Sequence, residues 1–528
     1  MSRDAVVIGA GHNGLVAANL LADAGWDVAV IEGADTPGGS VRSAELAAPG
    51  YLSDVCSAFY PLGAASPVMR ELGLEAHGLH WRHAPAVLAH VLPNDRCVVL
   101  SRDVDTTAAS VESFAAGDGD AWRRSYAQWQ RVGPALLETL LRPFPPVRGG
   151  IRLARALGVG DLLRGTRYAV MPVRRLGVEL FRGEGGRLLL AGNTLHTDLG
   201  PDAMAGAAFG WILAMLAQDV GFPVPAGGAG QITAALVARL RTRGVEVECG
   251  QSVERIVIRD GTAAGVRLAS GEVISASRAV LADVPAPALF LDLVGAQHLP
   301  RRLIADLESF EWDDATIKVD WALSGPVPWT AEGARAAGTV HVGGDVNGLT
   351  NFAAALTTGQ TPQEPFLLVG QMTTADPDRS PPGTESLWAY THVPRGLRWT
   401  PARLRRHVDR MEAVLERHAP GFGSSIVGRS VLGPDDLERE NPNLVDGAIN
   451  AGTSAPHQQL VFRPVPGLGR PDTPIDGLFL AGSTAHPGGG VHGACGANAA
   501  RAALARNGPA GRVYAAGIRL AHRQIYAG

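Results

Sequence analysis

Lysine is all but missing from this 528-residue chain: Lys318, inside ATIKVDW (315–321), stands alone, and every other one of the 47 cationic side chains is arginine. Blocks of like charge are missing too. With 47 cations set against 51 carboxylates and no basic patch in the sequence, nothing advertises a nucleic-acid partner. Cysteine is scarce: Cys56, Cys97, Cys249 and Cys495 lie far apart with no C-x-x-C pair, so neither a disulfide framework nor a metal-ligand spacing is expected. Free thiols of this kind suit a reducing compartment. No long apolar run exists either. The longest, AMAGAAFGWILAMLA (203–217), falls short of the roughly 20 residues that a bilayer span needs. It reads as a buried core helix, with a dip into a membrane surface as the alternative. The start of the chain runs from Met1 through Arg3 and Asp4 directly into AVVIGAG, without the pattern of a signal peptide, so a cytoplasmic location is expected. At about 150 residues per domain the length implies two to four cooperating units. No internal repeat or low-complexity tail is present.

What is there begins with AVVIGA (5–10), a continuous apolar run of strand length, as in a strand buried on both faces of a parallel sheet. Gly9-Ala10-Gly11-His12-Asn13-Gly14 follows, then LVAANLLADAG with helical spacing and a closing Gly25, then the strand WDVAVIE ending at Glu32. Each residue type has a reason. Gly9 permits the tight turn, Gly11 lets backbone approach a pyrophosphate, Gly14 lets helix pack on strand, and the helix N-terminus offers N–H groups to phosphate. Glu32 at the strand tip suits ribose hydroxyls, which favours FAD or NAD over a 2′-phosphorylated cofactor.

Downstream, GADTPGGSVRS places Gly38 and Gly39 six and seven residues past Glu32. This E-x5-G-G arrangement resembles the extended FAD signature of the flavin amine oxidase and phytoene desaturase superfamily. Ser40 follows the glycine pair where the amine oxidase branch usually has arginine, with Arg42 two positions on, and this favours the desaturase-like branch. Near the C-terminus, GLFLAG (477–482) reads as a buried strand, followed by Ser483, then His486-Pro487-Gly488-Gly489-Gly490-Val491-His492-Gly493-Ala494 and the small-residue helix CGANAARAALA. The whole pattern is similar to the phytoene desaturase-like FAD-dependent oxidoreductases, including the branch of the carotene ketolases and pyridine nucleotide-disulphide oxidoreductase domain-containing protein 2.

The resemblance implies an α/β fold: a Rossmann-type FAD-binding domain of the glutathione reductase/amine oxidase type (1–75, 225–300 and 440–528) with an inserted α+β substrate domain (76–224 and 301–439). It implies FAD held non-covalently by Gly9, Gly11, His12, Asn13, Gly14, Glu32, Gly38, Gly39, Ser40, Val253, Gly482, Ser483, Pro487, Gly489, Gly490, Val491 and His492. Val253 is the main-chain partner of adenine, and Ser483 or backbone takes the ribityl where an acid is common. Cys495 does not match the cysteine that carries covalent flavin in monoamine oxidases.

Within ATIKVDW, Ile317, Val319 and Trp321 share one face of a strand while Thr316, Lys318 and Asp320 share the other, so the lysine points into solvent or a cavity. Resemblance to the flavin amine oxidases implies that Lys318 is catalytic, beside flavin N5 through a water. The function expected is hydride removal from a hydrophobic, isoprenoid-like small molecule, by desaturation or oxidation, with electrons passed to oxygen, a quinone or another acceptor. A flavin amine oxidase and a non-catalytic flavin-containing binding or assembly protein are the alternatives. Substrate identity and oligomeric state stay open.

Overall fold

The protein, described over residues 2–527 in a computed structural model, is built on two large sheets. The first grows from β1 (Ser2–Ile8), α1 (His12–Asp23) and β2 (Val28–Ile31), in the order read from the glycine motif. β1 lies between β2 and β3 (Val273–Ala282), parallel to both, with Ile8 opposite Ile31 and Ala282. The strand Leu478–Leu480 adds to β3 in parallel and Val247–Glu248 adds to β2. An antiparallel meander, Val253–Arg259 and Thr262–Leu268, completes the edge beyond β3. The apolar run of β1 is explained by its position: Ala5 and Val7 enter the core on one face while Val6 and Ile8 enter the core on the other. Asp260-Gly261, both at positive φ (49° and 73°), makes the tight turn of the meander.

The second sheet runs Ile426–Leu432, β4 (Ala315–Leu323), β5 (Glu385–Val393), Leu367–Gln371, Ala337–Val342, Ala86–Val91 and Cys97–Leu100. Its strands come from the middle of the chain, whereas the first sheet draws on segments from both ends and from 247–282. On β4, Ile317, Val319 and Trp321 pack against Val408, Met411 and Leu415 of α2 (Pro401–His418), and Trp321 Nε1 donates to Glu412 Oε1 at 2.8 Å. The start of α2 is set locally: Thr400 Oγ1 accepts from Arg403 N at 3.3 Å, and Pro401 takes the first helical position. The apolar run 203–217 is a core element. Its helix, Gly206–Asp219, buries Trp211, Ala214, Met215, Leu216 and Ala217, and Met204, just before it, is the strongly exposed apolar side chain at 56 %. Among the described residues no helix is long and apolar enough to cross a membrane.

A buried charge cluster clasps the two parts together. Arg379, fully inaccessible, donates to both Asp54 carboxylate oxygens at 3.0 Å and to Asp376 Oδ2 at 3.1 Å. Asp54 Oδ1 also accepts from Ala229 N at 2.7 Å, and Asp376 Oδ2 from Gly227 N at 2.8 Å. PAGGAGQ (225–231) is therefore a turn into the helix Gly230–Arg241 whose N–H groups are spent within the protein, on Asp376, Asp54, Ser43 Oγ and backbone carbonyls.

Candidate functional site

The C-terminal ends of β1, β2, β3 and Leu478–Leu480 meet where the glycine motif turns, the place where open α/β sheets bind ligands. Here the backbone is packed too closely for any side chain. A Cβ on Gly14 would stand 2.0 Å from Gly9 O, and one on Gly11 would stand 2.7 Å from Asp283 Oδ2. Gly38 N donates to Ala10 O at 2.9 Å, and Gly39 has φ +55°, so the second glycine pair folds over the first. Glu32 stands at the tip of β2, where its two oxygens accept from Ala10 N (2.6 Å) and Ala34 N (2.9 Å) and keep further lone pairs for a ligand. Gln251 N donates to Glu32 O at 2.8 Å, which brings the strand beginning at Val253 alongside this tip. Ser40 Oγ accepts from Asn441 Nδ2 at 2.8 Å.

The C-terminal motif joins the same cradle. Asn13 Nδ2 donates to Ser483 Oγ at 3.1 Å, tying the start of α1 to the residue after Gly482. A Cβ on Gly482 would lie 2.6 Å from Val284 O. Pro487, Gly489 and Gly490 form the loop before α3 (Ala494–Arg506), and a Cβ on Gly489 would meet Asn450 O at 2.5 Å. Val491 is half-buried beside this loop. His492 Nδ1 accepts from Ala494 N at 3.0 Å, while burial holds the ring down to about 3. Burial likewise lowers His12 to about 4, and its Nε2 has no protein partner. The structure thus brings together the residues drawn from three distant motifs. A cradle closed to side chains, a free acceptor set on Glu32 and a buried unpartnered His12 nitrogen fit a dinucleotide. Cys495 is turned elsewhere: its thiol donates to Ala485 O and Gly488 O, is fully buried and is pushed up to about 12 by burial, which agrees with a non-covalent cofactor.

Two residues of the site carry no motif. Asp283, just past β3, accepts from Gly14 N at 2.8 Å with Oδ2, and burial, with Glu32 adding repulsion, pushes it up to about 7. Its only sequence signal is an acid closing a buried run, RAVLAD. Arg463, inaccessible and without a carboxylate among its hydrogen-bond partners, donates to the carbonyls of Asn450, Ala451, Thr453 and Ser483, and so ties the 450–453 segment to Ser483 while its guanidinium packs against Gly488. No local pattern marks it.

Lys318 sits in the middle of β4, in register with Tyr390 of β5 and Leu432. Its side chain is only 4 % exposed, and Nζ donates to Asp320 Oδ2 at 2.5 Å. The lysine is therefore not in open solvent, and its amine is engaged with a carboxylate. Burial pushes the Cys56 thiol up to about 11, against the pull of Lys318 and Arg42. On the same face of the sheet Trp388 and Tyr390 stack in parallel, 5.8 Å apart and 10° from coplanar, and Tyr390 meets His392 at 5.5 Å. Tyr60 packs in the core of the first sheet, with its hydroxyl donating to Ser57 O at 2.7 Å.

Comparison with known proteins agrees with this geometry. Residues 4–215 match the family described as FAD dependent oxidoreductase, and residues 177–504 match flavin containing amine oxidoreductase. Pyridine nucleotide-disulfide oxidoreductase domain-containing protein 2 of Mus musculus is 27 % identical, over 94 % of this chain and 92 % of that protein. The neurosporene-forming phytoene desaturase of Cereibacter sphaeroides is 24 % identical, over 96 % of this chain and 95 % of its own. A structure of putrescine oxidase bound to putrescine shares the fold, with a TM-score of 0.60 at 17 % identity over 98 % of this chain and 99 % of that one. The cofactor is FAD. Because the match over 177–504 spans more than half of its residues, the chain belongs to the flavin containing amine oxidoreductase family.

Proposed function

We propose that this FAD-dependent oxidoreductase removes hydride from a hydrophobic, isoprenoid-like small molecule, by desaturation or oxidation, and passes the electrons to oxygen, a quinone or another acceptor. The observation that carries the reading is the aromatic and imidazole character of the sheet face beside the Lys318–Asp320 pair. Trp388 and Tyr390 present stacked rings there, and burial keeps His196 at about 3 and His392 at about 4, so both imidazoles are neutral at pH 7. The one carboxylate on β4's share of this face, Asp320, is already committed to Lys318. A surface of this kind suits an apolar chain, and the acids whose charge reaches His392 and Tyr390, Asp198 and Asp313, are each already held by protein N–H or O–H donors. The phytoene desaturase among the relatives supports the same class.

FAD, when bound, supplies the hydride acceptor. The chain supplies position and field. Glu32, the α1 N-terminus and the Gly38-Gly39 turn hold the nucleotide end. Arg463 and the N-terminus of α3 set positive potential behind the glycine loop at 488–490, where growing negative charge is stabilised. Lys318 adds a buried cation on the side of the second sheet, fixed in direction by Asp320 and with N–H groups left to hold a water in place.

The test is anaerobic incubation of the purified yellow protein with isoprenoid hydrocarbons and alcohols in micelles, and separately with primary and secondary amines. Loss of the oxidised flavin's colour with the isoprenoids alone is the expected result. Bleaching by amines alone would make the protein an amine oxidase, and a flavin that stays oxidised against both panels would favour a binding or assembly role.

A further inference from the structure

The outer side of the second sheet carries a cleft that neither the nucleotide cradle nor Lys318 uses. It lies where α2 passes the turn after the helix Val346–Thr357 and has a volume of about 370 Å³. Arg403, Arg406 and Arg410 line it together with His407, Trp399 and Thr361. At positions i, i+3 and i+7 of α2 the three arginines share one helix face. None of the three is paired with a carboxylate among the described residues, although Arg417 further along α2 is paired with Glu364.

The cleft is partly organised already. Arg403 Nη2 donates to Thr361 Oγ1 at 3.0 Å, and its guanidinium lies 4.9 Å over the Trp399 ring. Trp399 and His407 meet edge to face at 5.6 Å. Both are buried, yet Trp399 Nε1 and both ring nitrogens of His407 have no partner in the protein. Buried polar atoms without partners are rare in folded chains, and here three of them gather at the arginine-lined cleft. Burial, with Arg410 and Arg403 nearby, pulls His407 down to about 4, so at pH 7 the ring offers one N–H and one lone pair.

We propose that this cleft is a binding site for a small organic polyanion of the diphosphate class. Arg403, Arg406 and Arg410 take the phosphate oxygens, and Trp399 and His407 supply donors at the inner end. Planar guanidiniums match phosphate oxygens two at a time, and three of them balance the roughly three negative charges of a diphosphate, which one carboxylate would leave unmatched. The volume falls within the range of small-ligand sites, so a group larger than the diphosphate itself can be held.

The probe is inorganic pyrophosphate, titrated calorimetrically into the FAD-loaded protein, whose cradle is then closed to it. Saturable one-to-one binding is expected, weakening as salt is raised. The double variant Arg406→Gln, Arg410→Gln should bind about tenfold more weakly or worse, and Trp399→Phe should show a smaller loss of the same sign. An unchanged flavin spectrum in both variants reports an intact fold. No saturation below about 10 mM would overturn the proposal. So would an affinity unaltered in the double arginine variant, or equal affinity for citrate, which lacks phosphorus.

Discussion

Asp283 and Lys318 are buried ionisable groups in different surroundings: Lys318 has a carboxylate partner, and Asp283 has a helix end. Asp283 accepts from Gly14 N where a cofactor phosphate is also drawn, and its value of about 7 lies above the ordinary 3.8. The folded chain therefore holds that proton more tightly than the unfolded one. The stability it contributes is full below about pH 4 and is lost as pH rises through about 7. Asp283→Asn keeps an acceptor for Gly14 N without the charge. Flavin-free Asp283→Asn protein should lose less melting temperature than wild type between about pH 5 and pH 8, and should bind FAD about tenfold more tightly above neutrality. A melting difference that ignores pH would contradict this. For Lys318 the expected loss of flavin reduction or reoxidation rate in Lys318→Met is about 10²-fold or more. That variant strands Asp320, so the double variant Lys318→Met, Asp320→Leu is the cleaner measurement. Wild-type rates in a folded double variant would reduce Lys318 to a structural ion-pair partner.

At the scale of elements, the contact between α1 and α3 explains why α3 is made of such small residues. A Cβ on Gly496 of α3 would stand 1.9 Å from Asn13 O, so the two helices touch backbone to backbone. Gly496→Ala should push them apart, at a cost of about 1–3 kcal/mol, seen as a lower unfolding midpoint together with weaker FAD retention on gel filtration. Normal FAD occupancy with normal stability would mean that the contact yields freely. Much of this level was legible in the sequence. The β1–α1–β2 unit, the Asp260-Gly261 hairpin and α2 follow from local spacing and turn residues. The assignment of Ile317, Val319 and Trp321 to the packed side of β4 needed only the two-residue period of a strand.

Over the whole molecule, Arg379 is the clasp between the two sheets, with Asp54 from one part and Asp376 from the other. Arg379→Met leaves Asp54 buried without a cation and Asp376 with Arg82 as its one remaining cation, with an expected cost of about 3–5 kcal/mol. Urea unfolding followed by flavin release and by tryptophan fluorescence checks this, and the two transitions should separate in the variant. A coincident, wild-type transition would show that the clasp holds nothing. None of this network could be read from the chain as a string, because an arginine near Pro377 gives no sign that its carboxylate lies 325 residues away.

The sequence alone determined the nucleotide unit, since a glycine turn, a helix start and an acid-tipped strand act within some thirty residues and need no other part of the chain. It also determined which face Lys318 takes. Tertiary structure decided what each charge meets: Asp283 comes to the α1 N-terminus from 269 residues away, and Arg463 binds Ser483 across a loop. Burial fixes protonation, and burial arises only when distant segments close over a side chain and remove its water.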